Sequence, residues 1–187
     1  MSISLYKPNS KNSGCAFKFS IGTNKSKEPT IYINAIQQHS WDSTKKIGSF
    51  SGNASDPEKK ISLKFNESEV GAIIHAFETR TEYSTFHSFD DNKTSIKCIP
   101  WDKETKSQGK TTIIPAFGIN ITRNGNQTFR IPIEPGEIKS IISFFNYFFS
   151  KLHDFRFKKE QELIAKSQQN KTEGTSQETN QESPVPF

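Results

Sequence analysis

Apolar residues fall at every second position in some stretches of this chain and at every third or fourth in others. Over residues 15–22, Phe17, Phe19 and Ile21 alternate with Lys18 and Ser20. Over 30–37, Ile31, Ile33 and Ala35 alternate with Tyr32, Asn34 and Ile36. Over 60–65, Ile61, Leu63 and Phe65 alternate with Lys60, Ser62 and Lys64. Period two is the mark of a strand with one buried face. A short strand is expected at 46–51. Two hairpins follow, 83–89 with 94–101 across Asp90-Asp91-Asn92-Lys93, and 111–123 with 127–133 across Asn124-Gly125-Asn126. In the last strand Phe129, Ile131 and Ile133 face in, Thr128 and Arg130 out.

Helical spacing occurs twice. Asn66 and Glu69 form a capping-box pair, and Val70, Ile73, Ile74 and Phe77 follow on one face. Pro135 suits a first helical position, and Ile138, Ile141, Ile142, Phe145, Phe148 and Leu152 share a face after it. Phe144, Tyr147, Phe149 and Phe155 add apolar surface outside that stripe, as in a helix that is deeply buried or shared with a second subunit. The order is an α+β fold of two ββββα repeats, with antiparallel sheets and helices packed behind them. Residues 1–13 are expected to be a flexible terminus and 14–157 one domain. Residues 102–110, DKETKSQGK, are expected to be a flexible loop, and 158–171 a helical extension or linker. Residues 172–187 are rich in Glu, Gln, Thr, Ser, Asn and Pro, which predicts a disordered tail.

The chain has 187 residues and a net charge of +5. Three acids, Glu173, Glu178 and Glu182, follow the last basic residue, Lys171, so the body is more basic than the whole. That asymmetry fits a nucleic-acid binder and equally a soluble protein that happens to be basic. Cys15 and Cys98 form no metal-binding spacing and are expected to be reduced thiols. The N-terminus lacks the apolar region of a signal peptide, and no apolar run is long enough to span a bilayer. The expected location is therefore cytoplasmic, a bacterial host's cytoplasm if the chain is phage-encoded.

No catalytic motif, metal site or cofactor site is expected. His39, His75, His87 and His153 are scattered, and His75 with Glu78 has no second pair of ligands. Binding chemistry is better represented. On the outward strand positions Lys18, Lys60, Lys64, Lys97 and Arg130 are interleaved with Tyr32, Trp41, Phe50, Phe86 and Trp101. Cations pair with phosphates, and aromatic rings stack on unpaired bases for about 1–3 kcal/mol each. Each residue alone reads as a solvated charge or a packing aromatic; the combination points to single strands.

The element order, with "LKFNESEVGAI" launching the first helix and "TFRIPI" preceding the second, resembles the Whirly-type fold over about residues 14–157. That fold is shared by single-stranded-DNA-binding transcriptional coactivators and by phage-type single-stranded DNA-binding proteins. The resemblance implies a sheet surface that binds single-stranded DNA without sequence preference, in replication, recombination or repair. It also implies a homo-oligomer formed through the helices; an RNA-binding or transcription-regulating role stays open. The short basic motif by which plant members assemble further is not found here. The ending QESPVPF looks like the Pro-Phe tail of bacterial single-stranded DNA-binding proteins of the unrelated OB class. That likeness implies partner recruitment through Pro186 and Phe187.

Overall fold

The structure, a computed structural model, describes residues 1–107 and 109–177. Period-two stretches become strands and the two helical patterns become helices. In chain order these are β1 (Ser2–Lys7), β2 (Cys15–Thr23), β3 (Pro29–Gln37), β4 (Ser40–Asp42), β5 (Ile47–Ser49) and β6 (Lys60–Phe65). There follow α1 (Glu67–Thr79), β7 (Tyr83–Phe89), β8 (Asn92–Ser107), β9 (Lys110–Arg123), β10 (Gln127–Ile133) and α2 (Pro135–Gln177). Two antiparallel four-stranded sheets result, ordered β1-β2-β3-β6 and β10-β9-β8-β7, with β4 and β5 as a separate small hairpin.

The pairing register places every apolar row of the first sheet on one side. Leu5, Phe17, Ala35 and Ile61 lie abreast, as do Ile3, Phe19, Ile33 and Leu63, and Ile21, Ile31 and Phe65. In the second sheet Phe129, Ile121 and Ile96 form one such row and Ile131, Ile119 and Cys98 the next. These rows, α1 and α2 share one core. Each helix packs across the repeat boundary. α1 follows the first sheet yet lies on β7 and β8, with Phe77 edge-on to Phe117 at 5.1 Å. α2 follows the second sheet yet lies on β3 as well as β9, with Phe145 edge-on to Phe19 at 5.9 Å. This exchange binds the two repeats into one folding unit.

Local chemistry sets the ends of the elements. The Asn66 side chain accepts from the Glu69 backbone N–H at 2.9 Å, and Glu69 accepts from the Asn66 N–H at 2.9 Å, completing the capping box. The β9–β10 turn holds Asn124 at φ 52° and Gly125 at φ 76°, the left-handed pair that an Asn-Gly turn supplies. Glu137 accepts the Glu134 N–H at 2.8 Å where α2 begins.

Several expectations are corrected. Residues 1–13 are not a free terminus, because Ile3 and Leu5 complete the apolar rows of β2 and make β1 the edge of the first sheet. The expected third strand at 46–51 belongs instead to the β4–β5 hairpin. Residues 102–107 and 110 are not a loop but strand: β8 and β9 stay paired from Trp101 opposite Ala116 out to Ser107 opposite Lys110. α2 continues through Gln177, six residues into the expected tail. Pro186 and Phe187 lie outside the described residues. Phe144, outside the main stripe of α2, is 2% exposed, which matches the deeply buried alternative, because α2 packs on strands of both sheets. No helix among the described residues is long and apolar enough to cross a membrane.

Candidate nucleic-acid interface

If the inner rows are apolar, the alternate rows must face out, and their composition is uneven. On the first sheet they read Ser2, Ser20, Tyr32, Lys64; Ser4, Lys18, Asn34, Ser62; and Tyr6, Ala16, Ile36, Lys60. On the second they read Thr128, Thr122, Ser95, Phe86; Arg130, Asn120, Lys97, Ser84; Pro132, Gly118, Ile99; and Lys93 with Ser88. Lys18, Lys60, Lys64, Lys93, Lys97 and Arg130 are exposed on these rows, and no Asp or Glu accompanies them. The chain has 20 acids, so their absence here concentrates positive potential on the outward faces. Among the described residues, none of these six makes an ion pair with a carboxylate. The ion pairs formed employ Lys7, Arg80, His87, Lys103 and Arg156 instead.

Two of the six are held by neutral groups. Arg130 Nε donates to Asn120 Oδ1 at 2.9 Å on the neighbouring strand, which orients its guanidinium. Lys60 Nζ donates to the Ala54 carbonyl at 2.6 Å. Neither contact neutralises the charge, so both retain their attraction for phosphate.

The aromatics separate into two groups. Phe86 is 59% exposed on the edge strand β7, and Trp101 is 44% exposed on β8. Tyr32 is half-buried across Gly22, where an added Cβ would meet the ring at 2.8 Å, and its hydroxyl donates to the Thr23 carbonyl at 3.4 Å. Trp41 and Phe50 do not lie on the sheet faces. Trp41 sits on β4, and Phe50 follows β5 and packs edge-on to Tyr6 at 6.0 Å. Pairing of residues 47–49 with 40–42 carries this segment off the sheet. Tyr6, 64% exposed, belongs among the candidate stacking residues, as Lys93 belongs among the cations. Sequence reading passed over both, one inside an expected flexible terminus and the other inside a turn. The alternation of Ile3 and Leu5 with Ser4 and Tyr6 was the signal available.

The two sheets meet where Gln37 Nε2 donates to the Thr128 carbonyl at 3.0 Å, beside Arg130. Burial pushes the nearby Cys15 thiol up, against a lowering hydrogen bond from the Arg130 backbone. At the far edge, β6 and β7 flank a cleft of about 1090 Å³ whose lining includes Lys64, Arg123, Phe86 and Phe89. Glu69 and His87 also line it, but the Glu69 carboxylate is committed. It meets His87 Nε2 at 2.6 Å, accepts the Thr85 hydroxyl at 3.1 Å, and takes the capping N–H on its other oxygen. These bonds fasten α1 to β7. Among the described residues no three His, Cys, Asp or Glu side chains stand close enough to hold a metal. Both thiols are free and buried, and Cys98 is pushed up to about 12 by burial alone.

Two antiparallel sheets, cross-packed helices and an outward face on each sheet define a Whirly-like α+β fold. The chain is similar to the crystal structure of WHY3 from Arabidopsis thaliana, with a TM-score of 0.52 and 14% identity over 88% of this chain and 95% of that one. It is also similar to the structure of the plant transcriptional regulator PBF-2, with a TM-score of 0.53 and 14% identity over 86% of each chain. At that identity the likeness is one of fold. No protein-family model matches the sequence. No curated protein matches it either.

Proposed function

We propose that this chain binds single-stranded DNA without sequence preference along the outward faces of its two sheets. One observation carries the reading: six exposed cations share those faces with aromatic rings and amides, and among the described residues no carboxylate lies on their rows. Phosphates supply the affinity, and Tyr6, Phe86 and Trp101 offer rings to unstacked bases. Duplex bases are already stacked and gain nothing from these rings. Within this reading the protein is a binder and not an enzyme, acts in the cytoplasm, and serves replication, recombination or repair of a phage or other mobile element. It assembles as a homo-oligomer through α2, supported by Tyr147, which stays 42% exposed beside Met1 and Ile3. Pro186 and Phe187 recruit partner proteins, a role supported by the QESPVPF sequence.

A second reading is a transcription-regulating or RNA-binding protein; its transcription-regulating form is favoured by the fold shared with PBF-2, a plant transcriptional regulator. Replacing Lys64 and Arg130 together by Glu tests the surface itself. DNA binding should be abolished while the circular dichroism spectrum stays native; retained binding would remove the sheet faces from the account.

A further inference from the structure

β8 and β9 outrun the strands beside them. β7 pairs with β8 only as far as Cys98, and β10 pairs with β9 only as far as Phe117. From Trp101 opposite Ala116 to Ser107 opposite Lys110 the two strands continue as a ribbon with no neighbouring strand on either edge among the described residues. At about 3.4 Å per residue it projects about 20 Å from the sheet.

The ribbon's root is fixed on both faces. Asp102 meets Arg80, the left-handed cap of α1, at 2.8 Å. Its neighbour Lys103 meets Glu134, just ahead of α2, at 2.6 Å. Adjacent strand residues point to opposite faces, so these two ion pairs brace the ribbon from both sides and set its direction. Charge changes along its length. Asp102 and Glu104 stand in the root half; residues 105–112, TKSQGKTT, contain two lysines, three threonines, a serine and no acid. Trp101 heads the face that continues the Lys97 row, and Thr105 and Thr112 pair farther out on the same face. Lys110 is exposed beside the turn, where Gly109 sits at φ 75°.

We propose that this ribbon is an arm that binds the phosphate backbone of the same DNA strand beyond the sheet, with Trp101 as the stacking platform at its root. The inference rests on the single-stranded DNA reading. Lysine and hydroxyl groups without carboxylates are what phosphate oxygens recruit. A stacked strand advances about 3.4 Å per nucleotide, so the arm adds at most about six nucleotides to the footprint.

The test compares the unaltered full chain with K106E/K110E on two oligo-dT lengths. One is about 8 nucleotides, within the span of a single-strand binding surface, and the other about 30. The variant should lose at least about fivefold in affinity for the longer oligonucleotide and be unchanged on the shorter. Equal losses on both lengths, or none on either, would overturn the arm while leaving the sheet faces standing. If the unaltered chain binds neither oligonucleotide, the underlying reading fails and the arm fails with it.

Discussion

Lys18, Lys64 and Lys97 stand on three different strands, β2, β6 and β8, and all are exposed. Among the described residues none of the three makes an ion pair. Changing all three to Gln therefore removes charge while leaving the core rows intact, and substitutions of this kind shift stability by no more than about 0.5 kcal/mol each. Each phosphate neutralised on a single strand contributes about 0.7 to the slope of log K against log salt. Three together contribute about 2. Across a fourfold rise in salt, from about 50 to 200 mM, that portion of the slope amounts to roughly twentyfold in affinity. Fluorescence anisotropy with a labelled oligo-dT, titrated at several salt concentrations, reads the slope directly. The triple variant should bind more weakly at low salt, and its affinity should converge on that of the unaltered chain as salt rises. An unchanged slope in a variant with a native spectrum would show that these lysines meet no phosphate.

Other predictions concern the scaffold. Removing the Glu69 carboxylate (Glu69→Ala) strips a cap from α1 and leaves Thr85 and His87 short of a partner. The expected loss is about 2–3 kcal/mol, seen as a lower urea midpoint; a loss under about 0.5 kcal/mol would mean the bonds contribute no net stability. Phe145→Ala empties the contact with Phe19 inside the shared core and should cost about 3–5 kcal/mol, with both repeats melting in one transition. Two separate transitions would refute the cross-packing of the helices. Cys98, buried and pushed up to about 12, should resist alkylation at pH 8 until the chain unfolds. Prompt labelling of the native protein at Cys98 would contradict its burial.

The inner and outer faces of β2, β3, β6 and β10 were legible because each strand alternates bulky apolar residues with short polar or charged ones. No one-residue slip of such a strand buries the same set. β1 escaped notice because Ile3 and Leu5 are two apolar residues among serines, and only pairing with β2 gives them a core to enter. The ribbon was illegible for the opposite reason. DKETKSQGK carries no apolar residue, so the extended form of residues 102–107 comes from the partner strand and from the ion pairs at Asp102 and Lys103. Phe144 fell outside the stripe because a single helical stripe assumes one packing surface, whereas α2 has two. Local pattern thus defined which way the side chains of the long strands point. It did not define where Trp41 and Phe50 would be carried by a hairpin closing on itself.

The most direct measurement of the central claim is equilibrium binding of the unaltered chain to oligo-dT, oligo-U and duplex of equal length at low salt. Tight binding to oligo-dT, with duplex markedly weaker, is the predicted result. Equal affinity for oligo-U would shift the function toward RNA on the same surface, and no binding to oligo-dT at low salt would contradict the account.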